Sequence, residues 1–319
     1  MTSMIFGIMS FCVSPYDELA QRFRDAESLG FSSAWVDDDI YTPNYSEFDS
    51  WTLLPALARD TSRIRLGTLV AVPTYRHPSI LAAQVMTADH LSGGRIQLGF
   101  GAGGPPNNYG AFGLDDWSPQ ERAGHFEEQT EILDKLLRGE LVNYQGRHYQ
   151  IRNAQLTSPV QRPRPPLILA AHGERGLRLT ARFADVWNSL GGQPYRIAWD
   201  PAKRVSFETA VDNTRRLSEQ LDEYCVEIGR EPGTLRRSII NYRPVFDPLA
   251  SLDAFDEYVG RYGEIGVSEI IFYWPPLDNV FPSAGGGATA GAPFTDAEPI
   301  TAAQQSMFEK IATERILPG

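Results

Sequence analysis

The chain has few of the residues that staple, anchor or metallate a protein. Its 319 residues include two cysteines, Cys12 and Cys225, and five histidines. The cysteines lie far apart, and there is no CxxC pair and no Cys/His cluster. That leaves no basis for a disulfide framework or a thiolate metal site, and two reduced thiols in a cytosolic protein are expected. No uncharged apolar run approaches the length of a membrane span. The opening MTSMIFGIMSF is apolar but lacks a basic region and a small-residue cleavage site, so it reads as a first strand and not a signal peptide. Positive charge is in deficit, with 29 Lys and Arg against 40 Asp and Glu and a net charge of −11. This argues against non-specific binding to nucleic acid or an anionic membrane. An anionic ligand would need a locally positive site or backbone amides. GxSxG, HExxH and Walker patterns are absent.

What is present is an ordinary globular composition, 42% apolar and 22% charged, arranged as alternating strand and helix patterns. Strands are predicted at Met4–Phe11, Ser33–Val36, Arg63–Val72, Ile96–Phe100, in LILAA after Pro165-Pro166, and at Asp185–Ser189, Arg237–Phe246 and Val267–Trp274. Helices separate them. Leu19, Phe23 and Ala26 mark the first, after a Ser14-Pro15 start. Ile80, Leu81, Gln84, Val85, Ala88 and Leu91 give the third a broad apolar face. Ser118-Pro119-Gln120-Glu121 is a capping box opening a helix to about Arg138. NYQGRHYQI reads as a β-hairpin, Phe207–Ile228 as a long helix, and Leu252, Phe255, Val259 and Tyr262 as a helical stripe. Insertions follow the fourth strand (Gly101–Trp117) and the eighth, where about 276–300 is rich in Gly, Ala and Pro and is expected to be mobile. Eight such units with strands apolar on both faces predict an α/β fold, a closed (β/α)8 TIM barrel forming one domain over 1–319.

In such a barrel the active site lies at the C-terminal ends of the strands. Gly99-Phe100-Gly101-Ala102-Gly103-Gly104 matches GxGxxG. No helix follows at once, and the turn comes after the fourth strand, so a dinucleotide fingerprint is rejected. Small residues there still let a ligand approach the backbone. Ala171-His172-Gly173-Glu174-Arg175 ends the fifth strand and opens a helix; it is either an ordinary turn or a phosphate site built from helix amides, with Arg175 or Arg178 nearby. Asp37-Asp38-Asp39 ends the second strand and is suited to proton transfer or substrate orientation, or to a solvated turn; nothing with ligand spacing supports a metal. His77 reads as a helix cap before Pro78, with acid/base work as the alternative. His125 and His148 read as surface residues, and Tyr273 and Trp274 as core or as the wall of a ring pocket.

GTLVAVPTYRHPSILAAQVMTADHLSGGRIQLGFGAG resembles the signature region of the bacterial luciferase-like superfamily. SLGFSSAWVDDD, LVNYQGRHYQI and PVQRPRPPLILAAHGERGLRLTARFADVWN agree, in order. The combined pattern is most similar to the branch using the deazaflavin coenzyme F420; FMN-dependent members share much of it. The resemblance implies a homodimeric TIM-barrel oxidoreductase that passes hydride between F420 and a small organic substrate. The alternatives are an FMN-dependent monooxygenase and a non-catalytic flavin-binding protein. It also implies a non-prolyl cis peptide at Leu69-Val70 backing the cofactor ring, and contacts to ring and ribityl chain from Ala102, Gly103 and Asn107. Phosphate would fall to Ala171, His172, Gly173, Glu174 and Arg175, with a basic surround at Arg175 and Arg178 for an acidic tail. Asp38 would lie near the ring, and Asp38 or Asp39 would handle protons. Sugar-phosphate dehydrogenases of this group carry histidine where Asp39 stands and glutamate near Gly104, and many relatives carry tryptophan at Gly104. These departures make sugar-phosphate oxidation doubtful and imply a more open or reshaped pocket.

Overall fold

The computed structural model describes residues 4–12, 15–39, 41–42, 45–46, 48–104, 109–195, 200–276, 279 and 299–317. Eight parallel strands form a closed barrel: β1 (Ile5–Ser10), β2 (Ser33–Val36), β3 (Arg65–Ala71), β4 (Ile96–Gly101), β5 (Leu167–Ala170), β6 (Val186–Ser189), β7 (Arg236–Ile240) and β8 (Glu269–Tyr273). Each strand pairs with its sequence neighbours, and β8 closes on β1 with Ile5 opposite Glu269 and Met9 opposite Tyr273. The helices are α1 (Tyr16–Ser28), α2 (Ser50–Asp60), α3 (Pro78–Ser92), α4 (Pro119–Leu137), α5 (Glu174–Phe183), α6 (Phe207–Glu227), α7 (Leu252–Glu264) and α8 (Ala302–Ile311). The GxGxxG stretch therefore belongs to a barrel, at the end of β4 and in the loop that leaves it.

Two apolar layers hold the barrel. The larger lies between strands and helices; the smaller fills the interior with Met9, Trp35, Leu69, Ile168, Val186, Ile240, Tyr242 and Ile271. Alternation along each strand sends successive side chains to the two layers. Trp187, for example, packs outward while Val186 points in. The Leu69–Val70 peptide is cis, and the β3–β4 register slips between Thr68 and Ala71. A Cβ on Gly99 would sit 2.0 Å from the Thr68 carbonyl oxygen, so only glycine lets β4 lie this close to β3.

Local signals held where they were specific. Ser118 and Glu121 form the reciprocal capping box of α4. The hairpin pairs Val142–Gln145 with Gln150–Ala154, and Glu128 of α4 accepts from the backbone amides of Arg147, His148 and Tyr149 at its turn. Other expectations shift. Ile80 and Leu91 of α3 are exposed, because only a narrower stripe of that helix, including Leu81, Val85 and Ala88, meets the barrel. The seventh strand stops at Ile240, well before Phe246, and Arg243 beyond it takes φ 42°. Ser14 and nearly all of the 276–300 insertion lie outside the described residues. Cys12 and Cys225 are buried and form no disulfide with each other. Among the described residues no helix is long and apolar enough to cross a membrane.

Candidate active site

The acidic triplet follows β2 directly, and its members have different surroundings. Asp37 Oδ1 accepts from the Cys12 amide at 2.7 Å, tying the ends of β1 and β2 together. Asp38 is buried; it accepts from Arg76 Nη1 at 2.6 Å and from Ser50 Oγ. Arg76 also reaches Asp49, which caps α2 by accepting from the Thr52 amide at 2.8 Å. Burial pushes the Asp38 carboxyl up to about 6, against the pull of Arg76 and Ser50, and leaves it largely ionised at neutral pH. Asp39 is partly exposed and receives a hydrogen bond from the Tyr75 hydroxyl at 3.2 Å. Burial, then the charges of Asp37 and Asp38, raise its pKa to about 7. Tyr75 in turn packs edge-on against Tyr109 with ring centroids 5.3 Å apart. Asp38 is thus built into an ion-pair network, whereas Asp39 titrates near neutrality at the barrel mouth.

Leu69 and Val70, at the end of β3, belong to the interior cluster that floors this mouth. The loop after β4 packs against them: a Cβ on Gly101 would meet Val70 Cγ2 at 2.8 Å. Ala102 is partly buried, and Gly103 has φ 74°. Asn107 lies outside the described residues. Gly104 is buried, and the reason is an aromatic ring from elsewhere. A Cβ there would fall 2.5 Å from Cε1 of Tyr195 in the loop after β6. The pocket is reshaped at this point, not simply opened.

Across the barrel, Ala171 is buried and accepts at its carbonyl from Trp187 Nε1 at 2.8 Å. His172 opens to the mouth, yet protein crowds its ring and pushes its pKa down to about 4. Its Nε2 faces the Leu190 amide at 3.3 Å, which makes that nitrogen the acceptor and leaves the proton on Nδ1. Gly173 precedes α5 with no side-chain cap, and nothing lies within 4 Å of where its Cβ would be. Residues 172–175 are exposed, and the first-turn amides of α5 have no intrahelical partner, an arrangement that suits an anion. The basic side chains are less available: Arg175 engages Glu127, and Arg178 engages Glu174 and Glu227.

The remaining candidates divide. His77 caps α3, its Nδ1 accepting from the Ser79 amide at 3.3 Å. His125 and His148 are not bare surface residues: Trp117 stacks on His125 at 3.5 Å, His148 lies 4.0 Å from it, and Tyr149 Oη meets His125 Nδ1 at 2.7 Å. Trp274 is core, stacked on Phe308 of α8 at 3.8 Å. Tyr273 instead points into the interior cluster and stacks on Phe11 at 5.8 Å. Burial raises its pKa above the ordinary tyrosine range; Tyr242, Tyr195 and Asp37 add to that, and the buried Arg243 opposes it. Sequence reasoning gave no role to Arg76, Tyr195, Tyr242 or Arg243. The last two fall inside the strand predicted over Arg237–Phe246, which hides their position beyond its end at Ile240.

Comparison with known proteins agrees with this architecture. An F420-dependent glucose-6-phosphate dehydrogenase of Amycolatopsis mediterranei is 29% identical over 212 residues, 64% of this chain and 63% of that one. The chain spans 54%, 63% and 62% of the lengths of three curated relatives it matches, under two thirds in each case. Among solved structures, the coenzyme F420-dependent tetrahydromethanopterin reductase of Methanopyrus kandleri superposes with a TM-score of 0.69 at 18% identity, covering 86% of this chain and 94% of that one. The monooxygenase RslO1 of Streptomyces bottropensis superposes with a TM-score of 0.68 at 20% identity, covering 98% and 99%. At these identities the structures establish the fold alone. The family model described as luciferase-like monooxygenase matches residues 4–203, well over half the chain, and the protein belongs to that family.

Proposed function

We propose that this protein is an oxidoreductase that uses coenzyme F420 to pass hydride to or from an uncharged organic substrate, with Asp39 handling the proton. The observation that carries the reading is Asp39 itself, a carboxyl held at about 7 beside Tyr75 at the C-terminal end of a TIM barrel. The surrounding residues fit a deazaflavin. Leu69 and Val70 offer an apolar floor for a ring, the glycines after β4 let it lie close to the backbone, and the exposed, uncapped start of α5 suits its phosphate. When bound, the cofactor would supply or accept two electrons as hydride. The chain's own part is to orient the substrate, exclude water and balance the proton. For reduction of a carbonyl, protonated Asp39 gives its proton to the substrate oxygen; for oxidation of the alcohol, ionised Asp39 takes it back. Tyr75 fixes the carboxyl through its hydroxyl, and Arg76 keeps Asp38 out of the exchange. The F420-dependent relatives favour this cofactor.

The family description and the whole-length likeness to RslO1 favour a second reading, an FMN-dependent monooxygenase. A non-catalytic flavin-binding protein is the third. Titrating the cofactor-free protein with F420 and with FMN, following cofactor fluorescence, separates them. F420 binding at micromolar concentration with weaker FMN binding is expected. FMN binding without F420 binding overturns the proposal, and tight binding with no turnover by any acceptor or by air favours the third reading.

A further inference from the structure

The loop between β3 and α3 carries the side chains that govern both aspartates, Tyr75 for Asp39 and Arg76 for Asp38. Among the described residues no backbone hydrogen bond closes its turn from Pro73 to Arg76. A side chain from α4 takes that place. Gln129 is fully buried, and its Nε2 donates to the Pro73 carbonyl at 3.1 Å and to the Arg76 carbonyl at 3.2 Å, the two ends of the turn. The same nitrogen donates to the Tyr149 hydroxyl oxygen at 2.6 Å. An amide nitrogen has two hydrogens, so three acceptors use all of its capacity. The Tyr149 hydroxyl, accepting from Gln129, turns its own proton to His125 Nδ1 at 2.7 Å. The Tyr149 ring packs edge-on against His77 and His125, with centroid distances of 5.4 Å and 5.3 Å, and is thus a fixed acceptor that orients the amide. Gln129 Oε1, by contrast, is buried with no hydrogen-bond partner. Burying an unpaired carbonyl oxygen is costly, and an apolar side chain of the same length would fill the space without that cost. What the amide adds is a pair of donors for the turn.

We propose that Gln129 is a positioning residue for proton transfer, its side-chain amide holding the turn from Pro73 to Arg76 so that the Tyr75 hydroxyl stays on Asp39. The inference deepens the oxidoreductase reading and rests on it for its purpose, but the hydrogen bonds it invokes do not depend on the cofactor. The route from Gln129 to Asp39 is short. The Arg76 guanidinium anchors one end of the turn to Asp38 and Asp49, and Gln129 holds the backbone at both ends. Between those anchors Tyr75 is half-buried, packed edge-on against Tyr109 at 5.3 Å, with its hydroxyl 3.2 Å from Asp39 Oδ1. That hydrogen bond is already long for a hydroxyl donor, so a small drift of the turn removes it. Gln129 therefore acts on the carboxyl through the backbone that carries Tyr75.

Carbon-13 NMR of the aspartate carboxyls in the cofactor-free protein, titrated from about pH 4 to about 9, reads the effect directly, with Asp39→Asn assigning the resonance. The titratable groups acting on Asp39 are Asp37, Asp38 and Tyr75, and Arg76 sets the charge around Asp38. A hydrogen bond from Tyr75 favours the ionised carboxyl, so its loss raises the pKa. Gln129→Met keeps the length of the side chain and removes the donors. It should move the Asp39 midpoint upward from about 7, the direction in which Tyr75→Phe moves it. Adding Tyr75→Phe to Gln129→Met should then shift the midpoint far less than Tyr75→Phe does in the parent, because the hydrogen bond is already gone. Gln129→Asn keeps the amide but withdraws it by one methylene; it should shift the midpoint in the same sense, and it serves if the methionine variant does not fold. In the F420-loaded protein either variant should lose about tenfold in kcat with cofactor affinity within about twofold of the parent. A residue that only packs α4 would lower the melting temperature and leave the Asp39 midpoint alone. An unmoved midpoint in the Gln129 variants overturns the proposal, as does an unmoved midpoint in Tyr75→Phe or shifts that simply add in the double variant. The titration contains no F420, so failure of the cofactor reading and failure of the positioning role are told apart.

Discussion

A carboxyl group exchanges protons well at neutral pH only when its surroundings hold its pKa there, and Asp39 has such surroundings. Burial and two neighbouring acids raise it to about 7, and Tyr75 keeps it oriented. Carbonyl reduction should therefore slow as pH rises through about 7, because the donor is lost. Asp39→Asn should cost about a hundredfold or more in kcat and remove that limb of the profile. A pH series of F420 oxidation by parent and variant measures both, and an unshifted profile in the variant refutes the role. Asp38, one residue earlier, should behave differently. Asp38→Ala leaves Arg76 facing Asp49 alone in a buried setting, so the expected cost is about 3 kcal/mol of stability in urea unfolding. The two aspartates look alike in sequence; the difference comes from an arginine 38 residues away.

At the scale of elements, the last helix does more than close the chain. Phe308 of α8 is buried between two rings, Trp274 at 3.8 Å and Phe31 at 5.3 Å, so α8 seals the layer outside β8 and β2. Phe308→Ala empties that space and should cost about 3–5 kcal/mol, read as a lower unfolding midpoint at unchanged denaturant dependence. Loss of a few tenths of a kcal/mol would mean that α8 is an accessory and not part of the core. The loop after β6 belongs at this scale too, since its path is set by Gly192 lying against α6 and by tyrosine hydroxyls from α7 and the end of β7. Turn chemistry marks a loop in sequence, but a loop's destination is decided by contacts with distant elements. That is why Tyr195 and Gly104 were unreadable as a pair, although Gly104 itself stood out.

For the whole molecule, the barrel was legible because strand and helix periods repeat eight times and caps such as Ser118 and Glu121 are local. Pairings between neighbouring units were not: Arg76 with Asp38 and His172 with the Leu190 amide depend on how adjacent strands align. Folding also ties proton binding to stability, with opposing signs. His172 sits at about 4, below its ordinary 6.5, so the unfolded chain binds its proton first and stability falls as pH drops from about 6.5 toward 4. Asp39 at about 7, and Asp38 at about 6, lie above the ordinary 3.8, so the folded chain binds those protons first. Their contribution is fully present at low pH and is lost as pH rises through 6 to 7. Between pH of about 7.5 and 5 the two effects offset each other in the parent protein. Removing one should expose the other. Relative to the parent, Asp39→Asn should lose melting temperature on acidification through this window, and His172→Gln, which keeps an acceptor for Leu190, should gain it. Melting curves of the three proteins across that pH range test the balance, and parallel pH dependences would show that neither group is coupled to folding.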